Sequence, residues 1–207
     1  MNRKFISKSN RVLRKVLNSR KNLDILKDFI EAFLKIEIKE IELNPYLEIK
    51  SNYLPSEENF GIADVRVKLE GKKELNIGVQ FIDGYYAQNK MLLYYSQIHS
   101  NQLEYQDNRK IAKTKTINLL DFNYLKSKKY FNKIVIPSKT ENQIELYVLE
   151  LPKFIPSGSK ILDRQEAWMI YLCGEQEDRM VEVLKKFDKI RKLDNLLKEY
   201  WQNETME

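Results

Sequence analysis

Cysteine and histidine are almost missing from this chain: it has one of each, Cys173 and His99. A single cysteine excludes an internal disulfide framework. One Cys and one His cannot build a Cys/His zinc site. A Ser-His-Asp hydrolase or a histidine-dependent nuclease would rest on His99 alone. That residue lies in a tyrosine-rich helical pattern with no nucleophile motif beside it, and reads as a satisfied surface or core histidine. Long apolar runs are missing too; none approaches the roughly 20 residues of a membrane span. The basic amino-terminal stretch "MNRKFISKSNRVLRK" lacks the apolar segment of a secretory signal. The motifs G-x-x-x-x-G-K-[ST], G-x-G-x-x-G and G-x-S-x-G do not occur. These absences point to a cytoplasmic protein and, if it is an enzyme, to carboxylates and a hard metal as its tools.

What is present suits a globular domain. The 207 residues are 43% apolar and 32% charged, enough for one sizeable core. The net charge of +6 is unevenly placed. Residues 1–23 carry Arg3, Lys4, Lys8, Arg11, Arg14, Lys15, Arg20 and Lys21 and no acid, which leaves −2 on the rest. Such a basic end fits phosphate contacts as well as it fits a solvated helix face.

Apolar spacings of three and four predict helix over residues 10–37, and helices again over 85–105, 163–173 and 176–202. Alternation or apolar runs predict strands at 40–44, 62–69, 74–82, 115–122, 132–138 and 144–151. Residues 45–61 read as a loop. The expected fold is α/β: a central mixed sheet of about five strands, an antiparallel hairpin carrying the site, and helices on both faces. The expected division is a domain over 1–155 and a C-terminal helical extension over 156–207.

The hairpin holds one anomaly. "ELNIGVQFI" alternates as a strand should, yet Gly78 sits at its centre, where glycine costs backbone entropy and packs nothing. Face matching with "IADVRVKL" favours a three-residue loop, with Val65 opposite Val79, Asp64 opposite Gln80 and Arg66 opposite Gly78. Asp64, Gly78 and Gln80 then share one face. Mg²⁺ prefers oxygen ligands, so an acid there suggests a metal site, but a second acid is missing and position 78 is glycine.

The ordered set "NSRKNLDILKDFIEAFL", "IELNPYL", "ADVRVKLEGKKELNIGVQ", "MLLYYSQIHSNQLEY" and "KTKTINLLDFNYL" resembles the PD-(D/E)XK nuclease superfamily. More narrowly it is similar to the Rpn/YhgA-like "PD-(D/E)XK nuclease family transposase" group, over roughly residues 18–125. The resemblance implies a restriction-endonuclease-like core that hydrolyses phosphodiesters in DNA with Mg²⁺. Carried over, Asp64 takes the metal-binding aspartate position and Gln80 the last motif position. The Val79 carbonyl becomes a backbone metal ligand. Gly78 takes the place of the catalytic glutamate, so Mg²⁺ binding is expected to be weak and activity impaired. A non-catalytic DNA-binding or protein-interaction module on the same fold is the alternative.

Three explanations of Gly78 stand beside each other: decay of a nuclease site, a substitution selected or introduced because cutting harms the host, and a bulge that displaces the register. Asp28 or Glu31 could supply a carboxylate from the first helix. Glu74 shares the face but lies four residues off, roughly 13 Å at ~3.3 Å per residue. Arg11, Arg14 and Lys15 are the candidate DNA contacts. DNA is the implied partner, with a homodimer allowed and no membrane.

Overall fold

The computed structural model describes residues 12–13, 15–43, 61–82, 84, 86–105, 112–137, 144–158, 160–161, 163–174 and 177–204. Helix α1 (Leu23–Leu34) buries Ile25, Leu26, Phe29, Ile30 and Phe33, a stripe at helical spacing. It ends where Lys35 turns left-handed (φ 51°) and returns its N–H to the Glu31 carbonyl. The helix expected over 10–37 is broken before α1. A short 3₁₀ turn spans Arg20–Asn22, and the buried Asn22 side chain donates to the Val16 carbonyl at 2.9 Å. Ser19 begins that turn by accepting from the Lys21 N–H through its side chain, an alternative to the helical ladder.

The strands are β1 (Glu40–Leu43), β2 (Gly61–Lys68), β3 (Glu74–Ile82), β4 (Lys113–Leu120), β5 (Phe131–Ile136) and β6 (Ile144–Glu150). They form one six-stranded sheet, one strand more than expected, in the order β1-β2-β3-β4-β6-β5. The β1–β2, β2–β3 and β5–β6 pairs are antiparallel; β3–β4 and β4–β6 are parallel. Helix α2 (Ala87–Tyr105) makes the crossover between β3 and β4. From α1 to β4 the order is therefore αβββαβ.

Three more helices follow: α3 (Arg164–Cys173), α4 (Glu177–Lys186) and α5 (Asp188–Glu204). The single helix expected over 176–202 is interrupted at Phe187. Trp168 of α3 lies edge-on to Phe29 of α1, and its indole N–H donates to Asp28 at 2.8 Å. Leu193 and Leu197 of α5 belong to the same buried cluster as α1 and the sheet residues Val65, Ile77, Val79 and Ile117. Helices α3 and α5 thus complete the core on which α1 rests. The opposite face of the sheet is covered by α2, which packs on β3 and β4. Among the described residues no helix is long and apolar enough to cross a membrane.

Candidate functional site

The β2–β3 hairpin turns through five residues, not three. Leu69 donates to the Lys73 carbonyl at 2.8 Å around a 3₁₀ turn, Glu70–Lys72. Gly71 sits at its tip with φ 73°, a left-handed position that suits glycine. The expected register is therefore corrected by two residues. Asp64 lies opposite Gly78, Val65 opposite Ile77, and Arg66 opposite Asn76. A shift of two preserves face parity, so Asp64, Gly78 and Gln80 still point to one side, toward α2. The ladder is irregular only between Gly61 and Ala63. Gly78 itself is in regular pairing with Asp64 on one side and Thr116 on the other. The bulge explanation of Gly78 is overturned.

Helix α2 supplies a different reason for the glycine. A Cβ built at position 78 would overlap Cδ1 of Ile98 and lie 2.7 Å from Cε1 and 3.0 Å from Cζ of Tyr94. Tyr94 and Ile98 are one helical turn apart and both are buried. The Tyr94 hydroxyl lies 3.0 Å from the Ala63 carbonyl and 3.3 Å from the Val79 carbonyl, positioned to donate to either. That second carbonyl is the backbone ligand the resemblance implies. One tyrosine therefore crowds the carboxylate position with its ring and meets the carbonyl with its hydroxyl.

The rest of this face is a buried polar seam. Gln80 is fully buried, and its amide donates to Asn118 at 2.5 Å. Asn118 in turn donates to the Tyr147 carbonyl at 2.9 Å and to the Thr116 hydroxyl at 3.2 Å. Thr114 meets Nδ1 of His99 at 3.2 Å, and His99 stacks on Tyr95. Burial pushes the His99 pKa down, which favours the neutral ring. Asn76 is fully buried, and neither polar atom of its side chain has a hydrogen-bond partner among the described residues. Asp64 is 5% exposed.

These residues do not fit a divalent metal. The strand neighbours of Asp64 on this face are Gly78, Asn76, Gln80, Thr116 and Asn118, none a carboxylate. Among the described residues no three His, Cys, Asp or Glu gather as a metal site would need. Asp28 and Glu31 cannot repair it, because α1 lies on the other side of the sheet. There Asp28 accepts from Arg164 at 2.9 Å and from Trp168, and Glu31 accepts from the Ile38 N–H at 2.8 Å.

Of the expected DNA contacts, Lys15 is exposed and its ammonium sits over the Tyr200 ring of α5, also meeting its hydroxyl. Arg11 and Arg14 lie outside the described residues. Tyr94 and Tyr95 pack in the core, as their helical spacing indicates. The role of Tyr94 at Gly78 is a residue-level feature that sequence reasoning missed. So is the seam on β4, although "KTKTINLL" does alternate Thr114, Thr116 and Asn118 on one face.

An αβββαβ core with an Asp–Gly–x–Gln constellation on its central hairpin defines a restriction-endonuclease-like protein. The chain belongs to the PD-(D/E)XK nuclease family transposases, whose family model matches residues 10–206. No curated protein and no solved structure matches it.

Proposed function

We propose that this member of a nuclease family binds DNA without cutting it. The crowding at Gly78 carries the proposal. The position that should hold the second metal-binding carboxylate is pressed by Tyr94 and Ile98, and the Val79 carbonyl beside it already faces the Tyr94 hydroxyl. With Asp64 the one carboxylate among its strand neighbours on this face, the residues present do not offer the near-octahedral oxygen set that Mg²⁺ demands. Losing a metal ligand of this kind removes several kcal/mol of transition-state stabilisation, and each ~1.4 is tenfold in rate. Support for DNA as the partner comes from the family and from the net charge of +6 concentrated at the amino end. The single cysteine, which cannot form an internal disulfide, supports a cytoplasmic location as part of this reading.

The test is a paired assay on supercoiled plasmid with Mg²⁺ or Mn²⁺. The protein should retard the plasmid at low salt and leave it supercoiled, with affinity falling steeply as salt rises. Nicking that disappears in Asp64→Ala would overturn the non-cutting part. A protein that retards no DNA at low salt would overturn the binding part and leave a protein-interaction module.

A further inference from the structure

Beyond the hairpin, one ordered loop joins β4 to β5: residues 121–130, "DFNYLKSKKY". It has no regular secondary structure, yet it is held at several points from within. Glu150 is fully buried, and one of its oxygens accepts from the backbone N–H of Tyr124 at 2.5 Å and of Leu125 at 3.0 Å. Lys153 pairs with Glu150 at 2.6 Å and donates to the carbonyls of Leu125 and Ser127. Asn132 donates to the Lys129 carbonyl at 2.8 Å. Phe122 and Leu125 pack into the cluster beneath, alongside Ala87 at the start of α2. A buried charge is costly unless paired and hydrogen-bonded. Here the Glu150–Lys153 pair is both, and its bonds go to this loop and to Asn132 of β5, which itself holds the Lys129 carbonyl.

Over residues 124–129 the charge presented outward is of one sign; the exposed Asp121 stands at the start of the loop. Lys126, Lys128 and Lys129 are exposed, and none makes an ion pair among the described residues. Tyr124 is 36% exposed and braced edge-on by Phe122. Elsewhere the exposed lysines of α4 and α5 are mostly paired, as Lys186 is with Glu182 and Lys198 with Asp194. The loop also lies at the carboxyl end of β4, where Leu120 pairs with Ile82, two residues beyond Gln80. Ligands of open α/β sheets gather at that end.

We infer that residues 124–129 form a contact surface for single-stranded DNA, with Lys126, Lys128 and Lys129 on successive phosphates and the Tyr124 ring stacked on a base. This rests on the DNA-binding reading above and adds the place and the strand state. Because the loop backbone is already held, meeting a phosphate backbone orders only the three lysine side chains and not the chain that carries them. The half-exposed Tyr124 ring on the same loop suits an unstacked base, and not a duplex whose bases are inside the stack. The inference fails if the lysines serve only solubility.

The experiment is fluorescence anisotropy of a labelled oligothymidine and of a labelled duplex across a salt series. Five proteins are compared: wild type, Lys126→Gln/Lys128→Gln/Lys129→Gln, Lys126→Arg/Lys128→Arg/Lys129→Arg, Tyr124→Leu, and Lys185→Gln/Lys186→Gln/Lys198→Gln as an equal-charge control. The loop triple variant should lower the single-strand slope of log affinity against log salt by about 2, at ~0.7 per phosphate contact. Tyr124→Leu should weaken single-strand binding ~10-fold with the slope kept. The control should change little, and a loop Lys→Arg triple variant should restore the slope, which separates charge from folding. If wild type binds single strands but the loop and control variants behave alike, this surface is overturned while DNA binding stands. Preference of wild type for duplex would overturn the single-strand assignment. Failure of wild type to bind either probe would overturn both proposals.

Discussion

The two faces of the β2–β3–β4 sheet are built from the same three strands and differ in kind. Toward α1 the inward residues are Val65, Ile77, Val79 and Ile117, packed on Phe29, Phe33 and Trp168. Toward α2 they are Asp64, Asn76, Gly78, Gln80, Thr116 and Asn118, all buried. The first face stabilises by removing apolar area from water, about 25 cal/mol per Å². The second must satisfy its polar atoms one by one, and it does so incompletely, as Asn76 shows. A fold under stability pressure alone has no need of such a seam. It lies beside the Asp64–Gly78 pair of the proposed site, and Tyr94 and Ile98 fill the space at Gly78.

Breaking the closed face by force should have the largest effect. Gly78→Glu must displace Tyr94 and Ile98 and bury a carboxylate, so it should lose at least ~4 kcal/mol of stability and gain no nuclease activity. Urea denaturation and plasmid nicking check both parts. Nicking by this single variant would mean that α2 yields easily, and that the polar side remains a working site short of one residue.

A charged group on the opposite face sharpens the contrast. Glu145 lies on the α1 side of the sheet, and Lys113, Lys133 and Lys115 surround its carboxylate at 3.0 Å each. Burial pushes its pKa up, but the three ammonium groups overcome this and hold it down at about 2. A depressed carboxyl contributes stability that is full above its unfolded value of ~4.3 and is lost as pH falls toward the folded value. Glu145→Gln should therefore be less stable than wild type at pH 7, on the order of 3 kcal/mol, with the gap narrowing between about pH 4 and 2. Urea midpoints taken at stepped pH decide it; a gap independent of pH would deny the linkage.

Next in size is the seam itself. Asn118→Leu strands the Gln80 amide and the Tyr147 carbonyl and should cost ~2 kcal/mol. Adding Gln80→Leu should cost less than the two single changes summed, because the pair is then removed together. Additive costs would mean that the 2.5 Å bond between them contributes nothing separable.

The smallest expected effect is also the most specific. In a strand, Gly→Ala usually gains ~0.5–1 kcal/mol. At Gly78 it should instead lose ~1 kcal/mol or more, since the new methyl meets Ile98 and Tyr94. Ile98→Val removes the overlapping Cδ1 and should recover part of that loss in a double-mutant cycle. A stabilising Gly78→Ala would show that the helix is less close than described.

The periodic parts of the fold were readable in advance, and the joints were not. Strand β3 spans Glu74–Ile82, the run its alternation marks. The side to which Asp64, Gly78 and Gln80 point followed from parity, which a shift of two residues leaves intact. The register did not follow, because it depends on a five-residue turn with Gly71 left-handed at its tip. Asn22 reads as a helix cap in the sequence and does stand at the start of α1. The break at Phe187 is hidden, because it carries neither glycine nor proline and the apolar spacing continues across it. At the site, sequence named the glycine but not its neighbours. Tyr94 and Ile98 share a helix face in any helical reading, yet only the path of α2 across β3 brings that face onto Gly78.

That contact has an evolutionary consequence. A glutamate at codon 78 cannot return as a single neutral step, because the first variant on the route back is overpacked by two neighbours. Recovery needs changes at positions 94 and 98 to come first, and each of those alone opens a cavity in a well-packed helix face. On the proposed non-cutting reading, Tyr94 and Ile98 would hold position 78 at glycine by epistasis.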